Sequence, residues 1–124
     1  MKFIQAQFRS AWKTRLVETE RPTVAEDHYL LKVEACTFCG SDFDVLSSGL
    51  ANWTPLGHEI SARILESPSN ARSDLRKGDR VAVELTTMCG FCEDCRGGRP
   101  ASCDCCPPLR VDALGGFAEI ITAP

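Results

Sequence analysis

Cys89-Gly90-Phe91-Cys92-Glu93-Asp94-Cys95-Arg96-Gly97-Gly98-Arg99-Pro100-Ala101-Ser102-Cys103 sets four thiols at the spacing C-x2-C-x2-C-x7-C. In a closed structural site Zn²⁺ takes four soft ligands at the corners of a tetrahedron. Two residues between thiols let a tight turn aim both sulfurs at one point. The glycines at 90, 97 and 98 offer the positive φ that such a knuckle needs. Arg96 and Arg99 are placed to donate to the thiolates and offset their charge. The plain alternative is a set of buried apolar cysteines, but these do not gather at regular spacing among turn residues. The stretch therefore predicts a structural zinc lobe over about 88–106, held by Cys89, Cys92, Cys95 and Cys103. Cys105 and Cys106 follow closely and compete in principle for the fourth position.

The other properties of the chain narrow its class. Eight cysteines in 124 residues force a choice between disulfides and metal. The opening Met1-Lys2-Phe3-Ile4-Gln5-Ala6-Gln7-Phe8-Arg9 has no apolar core and no small-residue cleavage site of a secretory signal. No apolar run approaches membrane-spanning length. A reducing, cytoplasmic setting is expected, where CxxC clusters point to metal or catalysis, and a secreted disulfide scaffold is the weaker alternative. The Asn52-Trp53-Thr54 sequon carries no weight without secretion. With a net charge of −3 and no basic stripe, nucleic acid is not an expected partner, and no membrane partner is expected either. The length predicts one domain, 1–124.

Around the lobe, short alternating segments dominate. Ile4, Ala6 and Phe8 share one face, and Trp12 to Val17 reads as the returning strand. Tyr29, Leu31, Val33 and Ala35 alternate with Leu30, Lys32 and Glu34 as a half-buried strand. Ile60, Ala62 and Ile64 repeat the pattern. So do Val81, Val83 and Leu85 after the Lys77-Gly78-Asp79 turn, and Phe117 to Ile121 after Gly115-Gly116. Ser41 to Leu46 is the one clear short helix, with Ser41 as a candidate N-cap. The spacing predicts a mainly β fold, a curled barrel with a metal lobe inserted between two strands and one or two short helices.

A second constellation lies upstream in Cys39-Gly40-Ser41-Asp42 and Gly57-His58-Glu59. Cysteine, histidine and carboxylate are ligands of a catalytic zinc, which keeps one position open. Cys39 ends a strand and His58 begins one, so both fall at one rim of the predicted barrel. A lone histidine at a strand start is more often a surface or satisfied core residue. Its company here shifts the reading toward a ligand.

These motifs, with Gly78-Asp79-Arg80-Val81 and Gly116-Phe117-Ala118-Glu119, stand in the order and approximate spacing of one family. From about Tyr29 onward the chain resembles the zinc-containing medium-chain dehydrogenases, the alcohol, polyol and threonine dehydrogenase relatives. The resemblance implies their GroES-like, strongly bent β-barrel catalytic domain. By matching position it implies Cys39 and His58 as catalytic zinc ligands, with Glu59 able to enter or leave the zinc shell. Ser41 resembles the hydroxyl that passes the substrate proton outward, and Asp42 the carboxylate that holds the histidine. The implied chemistry is a zinc-dependent alcohol or polyol oxidoreductase: zinc activates a substrate hydroxyl for hydride transfer to NAD or NADP.

Two departures stand out. Many members have a histidine three residues after the relay hydroxyl, where this chain has Asp44, and an aspartate of pKa about 4 is a poor shuttle at neutral pH. No G-x-G-x-x-G occurs, so the Rossmann cofactor domain is absent from this chain and cofactor-binding residues stay unassigned. The chain alone is expected to be inactive in hydride transfer. The expected partners are a small-molecule alcohol or polyol and the missing Rossmann domain, and a homo-oligomer stays open. The alternative is a stand-alone zinc-binding module without catalytic activity. Cys36 reads as a buried strand residue, His28 as exposed, and Phe43 and Trp53 as flanking the zinc cleft or packing in the core.

Overall fold

Alternating apolar residues at a period of two bury one face of each strand, and the chain solves this with antiparallel pairing throughout. The computed structural model describes residues 2–69, 74–84, 88–105 and 115–124. In chain order the elements are β1 (Lys2–Ser10), β2 (Lys13–Glu20), β3 (Tyr29–Thr37), α1 (Gly40–Ser48), β4 (Thr54–Pro55), β5 (Glu59–Glu66), β6 (Arg80–Val83), α2 (Glu93–Arg96), a 3₁₀ turn (Pro100–Ser102) and β7 (Ile120–Ala123). They form two sheets, β2-β1-β4 and β6-β5-β3-β7.

The mainly β class is as expected, but among the described residues neither sheet closes into a ring. The two are joined where the chain entering β7 runs beside β1. There Ala6 N–H donates to Phe117 O at 2.7 Å and Glu119 N–H to Ile4 O at 3.0 Å, around a Gln5–Ala118 bridge. The curl of the fold comes from this seam. No helix among the described residues is long and apolar enough to cross a membrane.

Ile60, Ala62 and Ile64 of β5 are buried as their alternation predicts, and with Leu31, Ile121 and Ala123 they make the larger core. A smaller core of Phe8, Leu46 and Leu56 lies under α1. β3 departs from simple alternation. Its pairing with β5 shifts between Leu30 and Leu31 and again between Val33 and Ala35. Such bulges place two residues opposite one and invert the faces beyond them. Leu30 and Leu31 are therefore both buried, Ala35 is exposed, and Cys36 takes the inward position opposite Ile60. Trp12 belongs to the β1–β2 turn and is 95% exposed rather than opening the return strand. Regular pairing of the last run begins only at Ile120. The expected continuation of β6 to Leu85 lies outside the described residues, as does Cys106.

Candidate metal centres

The first centre is assembled at the junction of β3, α1 and β5. Cys39, not Ser41, is the N-cap of α1, with an extended backbone (φ −94°, ψ 160°). The Asp42 carboxylate reaches back and accepts the Cys39 N–H at 3.0 Å, the kind of partner an orphaned first-turn amide requires. That leaves Ser41 inside the first turn, its Oγ 3.3 Å from His58 Nε2. Asp42 is fully buried and His58 is 5% exposed. Asp42 Oδ1 faces His58 Nδ1 at 3.5 Å, and both atoms lack a hydrogen-bond partner.

Two glycine positions set where His58 stands. Gly57 has φ +103°, and a Cβ on it would lie 2.7 Å from Phe117 N and 2.8 Å from Cys36 Sγ. Opposite it, Gly116 N–H donates to Gly57 O at 2.8 Å and Phe117 N–H to Leu56 O at 3.1 Å. This close backbone contact fixes the entry into β5 and hence the imidazole that follows.

Cys39 Sγ, a His58 ring nitrogen and a Glu59 oxygen all lie within 4.8 Å of one another. Glu59 is exposed; its Oε2 accepts the Thr37 hydroxyl at 2.5 Å. That hydroxyl first, and the Cys39 thiol next, hold the Glu59 carboxyl below the usual glutamate range. Cys36 does not join the set: burial, then the Asp42 carboxylate, push its thiol up to about 11. The donors fit a zinc with three protein ligands and an open position. The orphaned pair fits too. A proton on Nδ1 aims at Asp42 and leaves the Nε2 lone pair facing the cluster, the usual arrangement of a ligating histidine.

The second centre is the lobe. Cys89 Sγ accepts the Cys92 N–H at 3.3 Å, and Cys92 Sγ, capping α2, accepts the Cys95 N–H at 3.5 Å. The buried Cys103 comes in at the end of the 3₁₀ turn, and all four sulfurs lie within 4.8 Å of one another. A zinc–sulfur tetrahedron with bonds of about 2.3 Å sets its sulfurs about 3.8 Å apart. Here Cys89–Cys95 is 3.9 Å and Cys92–Cys103 is 4.0 Å. These separations are far beyond a disulfide bond. The thiols share protons unevenly. The Phe91 N–H, above all, draws Cys89 down to about 6. At Cys95 the Gly90 N–H pulls the same way, but burial and the neighbouring sulfurs prevail and push it up to about 12.

Several sequence expectations change here. Arg99 donates through Nε and Nη2 to Asp94 Oδ1, at 2.9 and 2.8 Å, rather than to sulfur. Gly90 and Gly98 have positive φ, but Gly97, the C-cap of α2, sits at φ −81°. Cys105 is exposed and outside the four-sulfur set. Asp44 is exposed on α1. Trp53 stacks under the Arg15 guanidinium at 4.5 Å, and Phe43 lies against Phe38. His28 is only partly exposed, its Nδ1 2.7 Å from Asp27. Thr37 as the partner of Glu59 was missed, because their pairing follows from the second β3 bulge.

Comparison with known proteins agrees with this geometry. Residues 25–124 match the family model for the alcohol dehydrogenase GroES-like domain. The L-threonine 3-dehydrogenase of Caldanaerobacter subterraneus subsp. tengcongensis is 33% identical over 115 residues, covering 88% of this chain and 33% of that protein. The galactitol-1-phosphate dehydrogenase structure from Escherichia coli superposes with a TM-score of 0.80 at 28% identity, over 99% of this chain and 36% of that one. The short chain alcohol dehydrogenase of Escherichia coli CFT073 complexed with NADH gives 0.78 at 29% identity, over 99% and 36%. The chain thus spans about a third of the length of the curated relatives it matches.

Proposed function

The chain belongs to the zinc-containing medium-chain dehydrogenases, as their alcohol dehydrogenase GroES-like domain, and from that premise we propose that it is the substrate-activating part of an alcohol or polyol oxidoreductase using NAD or NADP. Its relatives are dehydrogenases. The observation that carries the reading is the buried His58–Asp42 pair beside Cys39, Glu59 and the Ser41 hydroxyl.

Cys39, His58 through Nε2 and Glu59 would hold the catalytic zinc, and Cys89, Cys92, Cys95 and Cys103 a structural one. Zinc in the open site supplies Lewis acidity that lowers the pKa of a bound hydroxyl. Asp42, its Oδ1 3.5 Å from Nδ1, would hold the imidazole tautomer by accepting the Nδ1–H. The Ser41 Oγ lies 3.3 Å from Nε2. With Nε2 engaged, the Ser41 hydroxyl would accept the substrate's proton as it gives up its own. Asp44, three residues on, is exposed, and we route the proton from Ser41 to solvent. Hydride transfer calls for a nicotinamide held against the substrate carbon, which we assign to a cofactor domain outside these residues. This chain alone is then inactive. A zinc-binding module without catalysis would need the lobe but not a buried His58–Asp42 pair.

The test is zinc content and activity together. The purified chain should hold about two zinc ions, and His58→Ala should hold about one with folding unchanged, since the lobe supplies its four ligands alone. In a protein that joins this chain to a nicotinamide-binding domain, His58→Ala should abolish alcohol oxidation. Full activity or undiminished zinc in His58→Ala overturns the proposal.

A further inference from the structure

A cleft of about 580 Å³ opens at the end of the β3–β5 ladder remote from the Cys39–His58–Glu59 centre. Leu30 pairs with Glu66 at this end, whereas Thr37 pairs with Glu59 at the other. Seven residues of strand separate the two, roughly 23 Å. The walls carry Phe3 from β1, Leu30 from β3, Leu65 from β5 and Ile120 from β7. The cleft therefore lies where the two sheets meet, and apolar side chains from both line it.

The charges at its mouth are of two kinds. Glu66 is engaged by Arg21 at 2.5 Å, and Glu119 Oε2 accepts the Ile4 N–H at 2.8 Å. Glu66 is thus ion-paired, and one oxygen of Glu119 is held by a backbone amide. Lys32 and Lys77 also line the cleft, from β3 and from the turn before β6. Both are exposed, and among the described residues neither is in an ion pair or hydrogen bond. An apolar trough with two unengaged ammonium groups at its lip, on a chain of net charge −3, is a local reversal of the molecule's overall charge.

We propose that this cleft is a second binding site, for a small amphiphilic anion whose carboxylate or phosphate lies between Lys32 and Lys77 and whose apolar body covers Phe3, Leu30, Leu65 and Ile120. The apolar body removes exposed hydrocarbon from water, and the head group meets cations that have no competing partner. Neutral and cationic molecules with the same tail lose the second contribution. The site is independent of zinc, since its residues are on neither metal cluster.

Octanoate is the probe, with octan-1-ol and octyltrimethylammonium as controls, titrated into the zinc-loaded chain and followed by calorimetry and by amide NMR. Octanoate should saturate a single site, with shifts at β3, β5 and β7 residues near the cleft, and bind about tenfold more tightly than octan-1-ol. Lys32→Gln/Lys77→Gln should weaken octanoate by about tenfold while leaving zinc content, thermal midpoint and octan-1-ol binding unchanged. Raised salt should weaken octanoate alone. Equal affinity for octanoate and octan-1-ol overturns the proposal. So does an unaltered affinity in the double variant, or no saturable binding up to about 10 mM octanoate.

Discussion

Replacing Gly57 by alanine tests the contact that sets His58 in place. The new methyl would meet Phe117 N at 2.7 Å, Cys36 Sγ at 2.8 Å and Phe117 Cδ2 at 2.9 Å. The amide cannot step aside freely, because Phe117 N–H is bonded to Leu56 O at 3.1 Å and Gly116 N–H to Gly57 O at 2.8 Å. A side chain at φ +103° adds about 1–2 kcal/mol of backbone strain. Overpacking adds about 1–3 kcal/mol. The sum, about 2–5 kcal/mol, is a large share of the stability of a small domain. Gly78→Ala is the matched control: its φ is +97°, and nothing lies within 4 Å of the added methyl. That variant should lose the strain alone. Urea unfolding of the zinc-loaded chains, followed by circular dichroism, should separate the two by about 1–3 kcal/mol at equal m-value. Gly57→Ala should also bind less zinc at the open centre, since His58 follows directly. Equal destabilisation of the two variants would refute the argument that close approach, rather than dihedral alone, demands glycine at 57.

The other predictions concern the metal centres directly. Cys92→Ser removes a sulfur that both completes the tetrahedron and caps α2; the chain should retain one zinc fewer and melt at lower temperature, because structural metal binding is folding free energy. Asp42→Asn should leave the fold intact and weaken zinc at the open centre by about 10–100-fold in chelator competition, with the lobe metal unaffected. In reduced, metal-free chain, ultraviolet thiolate absorbance should show one lobe thiol ionising near pH 6, Cys89. Its folded pKa lies below its ordinary value of 9.0, so the stability it contributes is complete above that value and is lost as pH falls through about 6. A single titration near 9 would contradict the Phe91 N–H and neighbouring-sulfur contacts that set it.

What could be read from the residues, and what could not, divides along a physical line. Ile60, Ala62 and Ile64 were legible because β5 is regular and one of its faces is buried, so the period-two pattern maps onto it directly. β3 was legible as a strand, and Cys36 as a residue packed against the core, but the facing of Ala35 was not: two bulges interrupt the alternation and expose it, and no local residue type announces them. The same bulges make the two thiols of Cys36-x2-Cys39 chemically unequal. Cys36 ends up against the core with its thiol pushed up to about 11, while Cys39, three residues on, leaves the sheet and caps α1. In the lobe Cys92 likewise caps a helix, with the same extended backbone (φ −68°, ψ 168°). At both centres a thiol proposed as a ligand stands at the N-cap of a helix. Ser41 was read as the cap because hydroxyls usually fill that position. A cysteine there instead leaves the hydroxyl facing His58 at 3.3 Å, the position that the proposed proton path requires.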